Sequence, residues 1–145
     1  MKIGIGADHG GYDLKIKIID FLKEKNIEVQ DFGTNGSEGV DYADYAKPVA
    51  EAIINKEIDL GILICGTGIG MSLAANKVKG IRAACVSDSF SAKMARAHND
   101  ANILCFGARV IGDEVAKELV GIFISQEFEG GRHQRRVDKI MDIEK

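Results

Sequence analysis

The chain has 145 residues, 46% of them apolar, with 19 basic against 22 acidic residues and a net charge of −3. That length suits one domain, here residues 1–145, with one core; the apolar content argues against disorder, and the charge against nonspecific binding to nucleic acid or an anionic membrane. No stretch approaches the roughly 18 apolar residues of a membrane span, and the opening MKIGIGADHG lacks the plan of a signal peptide, so a cytoplasmic location is expected.

Residues 2–7, KIGIGA, read as a strand. Residues 12–25 place Leu14, Ile18, Phe21 and Leu22 on one helical stripe. A second strand follows at 27–31, then a loop at 32–41 that carries three glycines. Residues 42–56 read as a helix that contains the only proline, Pro48. Either the helix starts near Pro48 or it kinks there. The third strand is 59–65, followed by a helix at 70–79 that Gly80 stops. The fourth strand is 81–86, and the helix at 87–98 has Ser87 or Asp88 as its N-cap. A fifth strand at 101–107, a long helix at 112–128 and a terminal helix at 135–145 complete the chain.

Strands alternating with helices imply βαβ units and a parallel sheet. The strands are apolar on both faces, as a sheet covered on both sides requires. Right-handed crossovers then give a three-layer α/β/α Rossmann-like domain, with a five-stranded parallel sheet, an extra C-terminal helix and a strand order starting 2-1-3. Ligands in such sheets bind beyond the carboxyl ends of the strands. That rim holds Asp8, His9 and Gly10, residues 65–70, Ser87 and Asp88, and residues 107–109.

The loop Gly66–Thr67–Gly68–Ile69–Gly70 is no P-loop, because no Gly-Lys-Ser/Thr follows, and Met71 and Leu73 break the dinucleotide fingerprint. What remains is a run of backbone N–H groups suited to a negative oxygen, either a phosphate or an oxyanion that forms during a reaction. Cys65 stands just before it: a small buried hydrophobe ending a strand, or a thiol activated by a helix N-terminus. Cys85 and Cys105 fall inside strands, and the three cysteines make no metal-ligand spacing, so reduced thiols are expected. His98 and Asn99 end a helix, where they suit its dipole and its cap. Arg132 and Arg136 stand four apart in GGRHQRRV; a helix starting by Arg132 puts both on one face, able to clamp a phosphate.

Together, GADHGGYDLK, YADYAK, CGTGIGMSLAANKVKGIRAA, RAHNDANILCFGARVIG and GGRHQRRV resemble the type B ribose-5-phosphate isomerases, a family that includes allose-6-phosphate and galactose-6-phosphate isomerases. The resemblance covers essentially the whole chain. It implies reversible interconversion of ribose 5-phosphate and ribulose 5-phosphate, with no metal or organic cofactor. Cys65 matches the family's catalytic base; a second branch has glutamate where this chain has Met71. Asp8, His9, Thr67, His98, Asn99, Arg109, Arg132 and Arg136 match ligand or catalytic positions, and Tyr42 a position near the sugar. The resemblance also implies a homodimer or tetramer with the active site at the subunit cleft.

On that basis His98 protonates the ring oxygen while Asp8 or Thr67 helps remove the anomeric hydroxyl proton. Cys65 then moves a proton between carbon 2 and carbon 1, and the amides of residues 66–70 receive the enediolate charge. His9, Arg109, Arg132 and Arg136 hold the phosphate. The alternatives are a hexose-6-phosphate isomerase, a non-catalytic phosphosugar-binding subunit, and a thiol-redox protein, which the lack of a resolving cysteine disfavours.

Overall fold

A computed structural model describes residues 1–145. Strands β1 (Lys2–Ala7), β2 (Glu28–Asp31), β3 (Leu60–Cys65), β4 (Ala83–Cys85) and β5 (Ile103–Gly107) alternate with helices α1 (Tyr12–Glu24), α2 (Ala43–Ile54), α3 (Ile69–Ala75), α4 (Ser89–Ala97) and α5 (Asp113–Ser125). The helix α6 (Arg132–Asp142) follows α5 directly. The sheet runs β2-β1-β3-β5-β4 with every pairing parallel. This is the expected α/β class, and the 2-1-3 start is met.

Side chains alternate across each strand, and the sheet accordingly divides two cores. Ile62 and Ile64 of β3 join Ile3 and Ile5 against α1, α4 and α5. Leu63 and Cys65 face the other way, with Met71 and Ala75 of α3 and Val49 of α2. The central strands β3 and β5 are buried throughout, which explains their unbroken apolar sequences.

Several local expectations change. First, α2 begins at Ala43 and runs through Pro48. Its first five residues form despite a proline that has no N–H for the Asp44 carbonyl, because the buried Ala46, Val49, Ala50 and Ala52 hold the helix on the sheet. Second, α3 ends at Ala75 rather than continuing to Gly80. The Asn76 side chain there turns to β4, accepting from the Ala83 amide at 2.8 Å and donating to the Ala83 carbonyl at 3.0 Å. Third, β4 shrinks to Ala83–Cys85. Fourth, α6 starts at Arg132, three residues before the expected position. The N-cap of α4 is Asp88, whose Oδ1 accepts from the Ser91 amide at 2.8 Å; that bond draws the Asp88 carboxyl below its ordinary range.

The helical stripe of α1 conceals a lysine. Lys15 is fully buried, and its Nζ donates to Asp31 at 2.7 Å and to the Thr34 carbonyl at 2.6 Å. A buried ammonium needs such partners. These two tie the start of the loop at 32–41 to the helix, beside the carboxyl rim.

Candidate active site

At the carboxyl rim the strands deliver side chains to one cavity of about 400 Å³, walled by Asp8, Tyr42, Cys65, Gly66, Thr67, Ile69, Gly70, Leu73 and Arg109. β1 ends at Asp8. Its buried carboxylate accepts the Gly10 and Gly11 amides at 2.9 and 3.2 Å through Oδ1, which starts α1 and fixes the acid. Cys65 ends β3, and its Sγ accepts the Gly68 amide at 3.1 Å. Gly68 has φ +82°, and a Cβ there would fall 2.7 Å from the Phe106 backbone. Only glycine turns the chain here so that its amide faces back toward the sulfur.

The amide of Ile69 donates to Thr67 Oγ1 at 3.2 Å. Those of Gly66, Thr67 and Gly70 have no acceptor within the chain. The guanidinium of Arg109 lies over Gly66 and Gly10, and the ring of Tyr42 packs on Gly70. The cavity therefore offers a thiol, a carboxylate, a hydroxyl, a guanidinium and unpaired amides. Such a set suits an anionic, hydroxyl-rich molecule and a proton transfer next to a developing negative oxygen.

Of the three thiols, Cys65 alone opens into this cavity. Full burial pushes the Cys105 thiol well above its ordinary value. Desolvation first, and then the Cys65 sulfur, push Cys85 up against a bond from Ser72. His9 stands at the rim but outside the cavity wall, and its Nδ1 accepts from the Val40 amide at 3.2 Å. That bond closes the loop at 32–41 over the rim.

His98, Asn99, Arg132 and Arg136 lie elsewhere. α4 leaves the carboxyl rim at Asp88 and runs nine residues back along the sheet, about 13 Å, so His98 caps its far end. Residue 102 is level with the start of β3, as the Gly61 amide donates to the Asn102 carbonyl at 2.9 Å. Roughly 17 Å of strand separates that level from Cys65. The Glu129 amide donates to the Ala97 carbonyl at 3.0 Å, which anchors the start of α6 at the same far end. Arg132 and Arg136 stand exposed, four apart on this helix. Asn99 lines a separate cavity of about 480 Å³ between β4 and α6, with Ile81, Ile140 and Ile143.

His98 stacks on His133, ring centres 4.0 Å apart and planes within 9°. Glu129 Oε1 lies 3.5 Å from His98 Nε2 and 3.6 Å from His133 Nε2. The three donor atoms lie within 4.8 Å of one another, yet they make a poor cation site. Parallel rings point their lone pairs side by side instead of at one ion. Arg132 and Arg136 act on the same group: after desolvation and with His98, their charges hold His133 below its ordinary value, against the pull of Glu129.

Sequence reasoning missed Leu73, Lys15, Glu129 and His133. Glu129 and His133 carry an i, i+4 spacing that could have been read, but the two glycines between them hide it. Nothing in the sequence marks Lys15 as buried.

Residues 3–140 match the family model described as Ribose/Galactose Isomerase. The ribose-5-phosphate isomerase B of Escherichia coli (strain K12) is 52% identical over 143 residues, which cover 99% of this chain and 96% of that protein. Among solved structures, the ribose-5-phosphate isomerase B of Clostridium thermocellum superposes with a TM-score of 0.98 at 58% identity, over 99% of this chain and 97% of the other. That of Mycoplasma genitalium, solved with bound ribulose-5-phosphate, superposes with a TM-score of 0.94 at 47% identity, over 99% and 95% of the two chains.

Proposed function

The chain belongs to the ribose/galactose isomerase family, and we propose that it interconverts ribose 5-phosphate and ribulose 5-phosphate through an enediolate. The observation that carries this reading is the placing of Cys65 in the wall of the rim cavity, its sulfur beside the unpaired amides of the glycine loop.

The closed sugar opens first. His98 gives a proton to the ring oxygen, the bond from carbon 1 to that oxygen breaks, and the anomeric hydroxyl gives up its proton toward Asp8 or Thr67. Cys65, as thiolate, takes the proton from carbon 2, and the electron pair moves onto the carbonyl oxygen. The amides of Gly66, Thr67 and Gly70 are unpaired and suited to that oxygen. Gly68 and Ile69 shape the loop, since their amides already hold Sγ and the Thr67 hydroxyl. The hydroxyl proton on the carbon 2 oxygen passes to the carbon 1 oxygen, and the protonated thiol returns its proton to carbon 1 on the same face, leaving the ketone at carbon 2. Arg109, His9, Arg132 and Arg136 hold the phosphate, Tyr42 and Asn99 border the sugar, and the chemistry asks for no cofactor.

Two copies are needed. His98, Asn99, Arg132 and Arg136 sit at the far end of the sheet from Cys65 and cannot reach it in one chain, so a second copy supplies them across a dimer cleft. Apolar surface supports this: Ile69, Leu73 and Phe90 at the Cys65 rim are 55%, 63% and 72% exposed, and Ile143 after α6 is 82% exposed. Patches of this kind mark interfaces.

The test is a side-by-side isomerase assay of the purified chain with ribose 5-phosphate and allose 6-phosphate. Turnover of the pentose phosphate with the higher kcat/KM is expected. Preference for the hexose phosphate overturns the substrate assignment, and turnover of neither leaves a phosphosugar-binding subunit.

A further inference from the structure

The far end of α4 is clasped from outside. Glu129 gives its amide to the Ala97 carbonyl, one residue before His98. Gly130 and Gly131 follow with φ of 66° and 57°. A Cβ at either would meet nothing within 4 Å, so these glycines serve the left-handed turn and not close packing. The turn launches α6 so that Glu129 and His133, four apart, both face the His98 ring. His133 lies under that ring, 7% exposed, while Glu129 sits at its Nε2 edge.

We propose that Glu129 and His133 are positioning residues for His98, fixing the plane and the edge of its imidazole so that its proton is aimed at the ring oxygen of the sugar phosphate. This rests on the role given to His98 above. A histidine at a helix end turns freely about two side-chain bonds, and the His98 side chain is 35% exposed. A flat neighbour at 4.0 Å removes one freedom by stacking. A carboxylate beside one ring nitrogen removes the other, as in orienting partners of catalytic histidines generally. Proton transfer depends steeply on such alignment.

Ring opening can be measured apart from the base step. Ribulose 5-phosphate has no free hydroxyl able to close a five-membered ring. Deuterium uptake from D2O at its carbon 1 therefore reports proton transfer by Cys65 without any ring opening. Glu129→Gln and His133→Ala are expected to lower kcat on ribose 5-phosphate by about tenfold or more, with KM and the exchange rate within about twofold of wild type. His133→Phe, which keeps a flat ring under His98, is expected to recover most of the kcat; that Ala-to-Phe rescue is decisive on turnover alone.

Wild-type turnover in the Gln and Ala variants, or an equal fall in turnover and exchange, overturns the proposal. His98→Asn separates this inference from its premise. If it lowers exchange as much as turnover, the ring-opening role of His98 itself fails. If it lowers turnover alone while Glu129→Gln and His133→Ala remain at wild type, only the positioning role fails.

Discussion

The two ends of the sheet are built differently. At the carboxyl end, three strands terminate around one cavity, and backbone fixes the polar side chains of its wall: Asp8 is held by two amides and Cys65 by one. At the amino end, His98 is a helix cap held by side chains, a stacked ring and a carboxylate. A proton moved between adjacent carbons needs a base fixed to within a fraction of an ångström, and strand ends supply that rigidity. Groups that grip a phosphate tolerate a softer mount, whereas an acid that opens a ring needs the alignment that packed side chains give it.

The sharpest way to break that contrast is at the carboxyl end. Cys65→Ala removes the proposed base, and kcat is expected to fall by about four orders of magnitude while substrate still binds by calorimetry. Retained turnover transfers the base role to another group.

The next test joins the two ends. Cys65→Ala and His98→Asn are each expected to be nearly inactive. In a dimer whose sites combine both ends, a mixed pair of these variants contains one intact site. Random reassortment makes half the dimers mixed with one good site in two, so activity recovers to about a quarter of wild type. Mixing that restores nothing, in samples shown by mass spectrometry to have exchanged subunits, rules out the split site.

At the amino end alone, the effect shifts from kcat to KM. A hydrogen bond to a charged group contributes about 1.5–3 kcal/mol, so Arg136→Ala is expected to raise KM for ribose 5-phosphate by about ten- to a hundredfold with kcat nearly kept. A fall in kcat at unchanged KM would place Arg136 with the chemistry instead of the phosphate.

These halves were legible in unequal measure. Unbroken apolar strands and single-helix crossovers announce a doubly wound sheet, and the order of its elements alone puts Asp8, Cys65, Thr67 and Arg109 on one rim. His98, Arg132 and Arg136 carry no such signal, because helix ends lie wherever helix length puts them. The stop of α3 at Asn76 depends on a side chain reaching β4, which local propensity does not record. Pro48 stays inside α2 because burial outweighs one missing hydrogen bond.

Lys15 was hidden for a related reason: its partners lie 16 and 19 residues away. It braces the carboxyl-end loop, so Lys15→Met is expected to lower stability in urea by about 2–3 kcal/mol. That lies below the 3–5 typical of a broken buried pair, because the Asp31 side chain is 36% exposed and stays hydrated. An unchanged urea midpoint would mean that the loop needs no brace.

The smallest effect separates the ends by pH. Burial, then His98 and Arg132, with Arg136 acting the same way, hold the His133 imidazole below its ordinary 6.5, and Glu129 only partly offsets them. Below about pH 6.5 the unfolded chain therefore takes up a proton at this position before the folded one does. Stability at this residue is full above that value and is lost as the pH falls toward the folded value, since stability rises with pH wherever the unfolded state binds more protons. Melting temperatures read between about pH 7 and 5, above most carboxylate titration, are expected to fall for the wild type and to fall less for His133→Phe, which keeps the stack and has no proton to gain. Parallel curves for the two proteins would show that the His98–His133 stack does not discriminate between charged and neutral rings, and the amino end would then owe its arrangement to Glu129 alone.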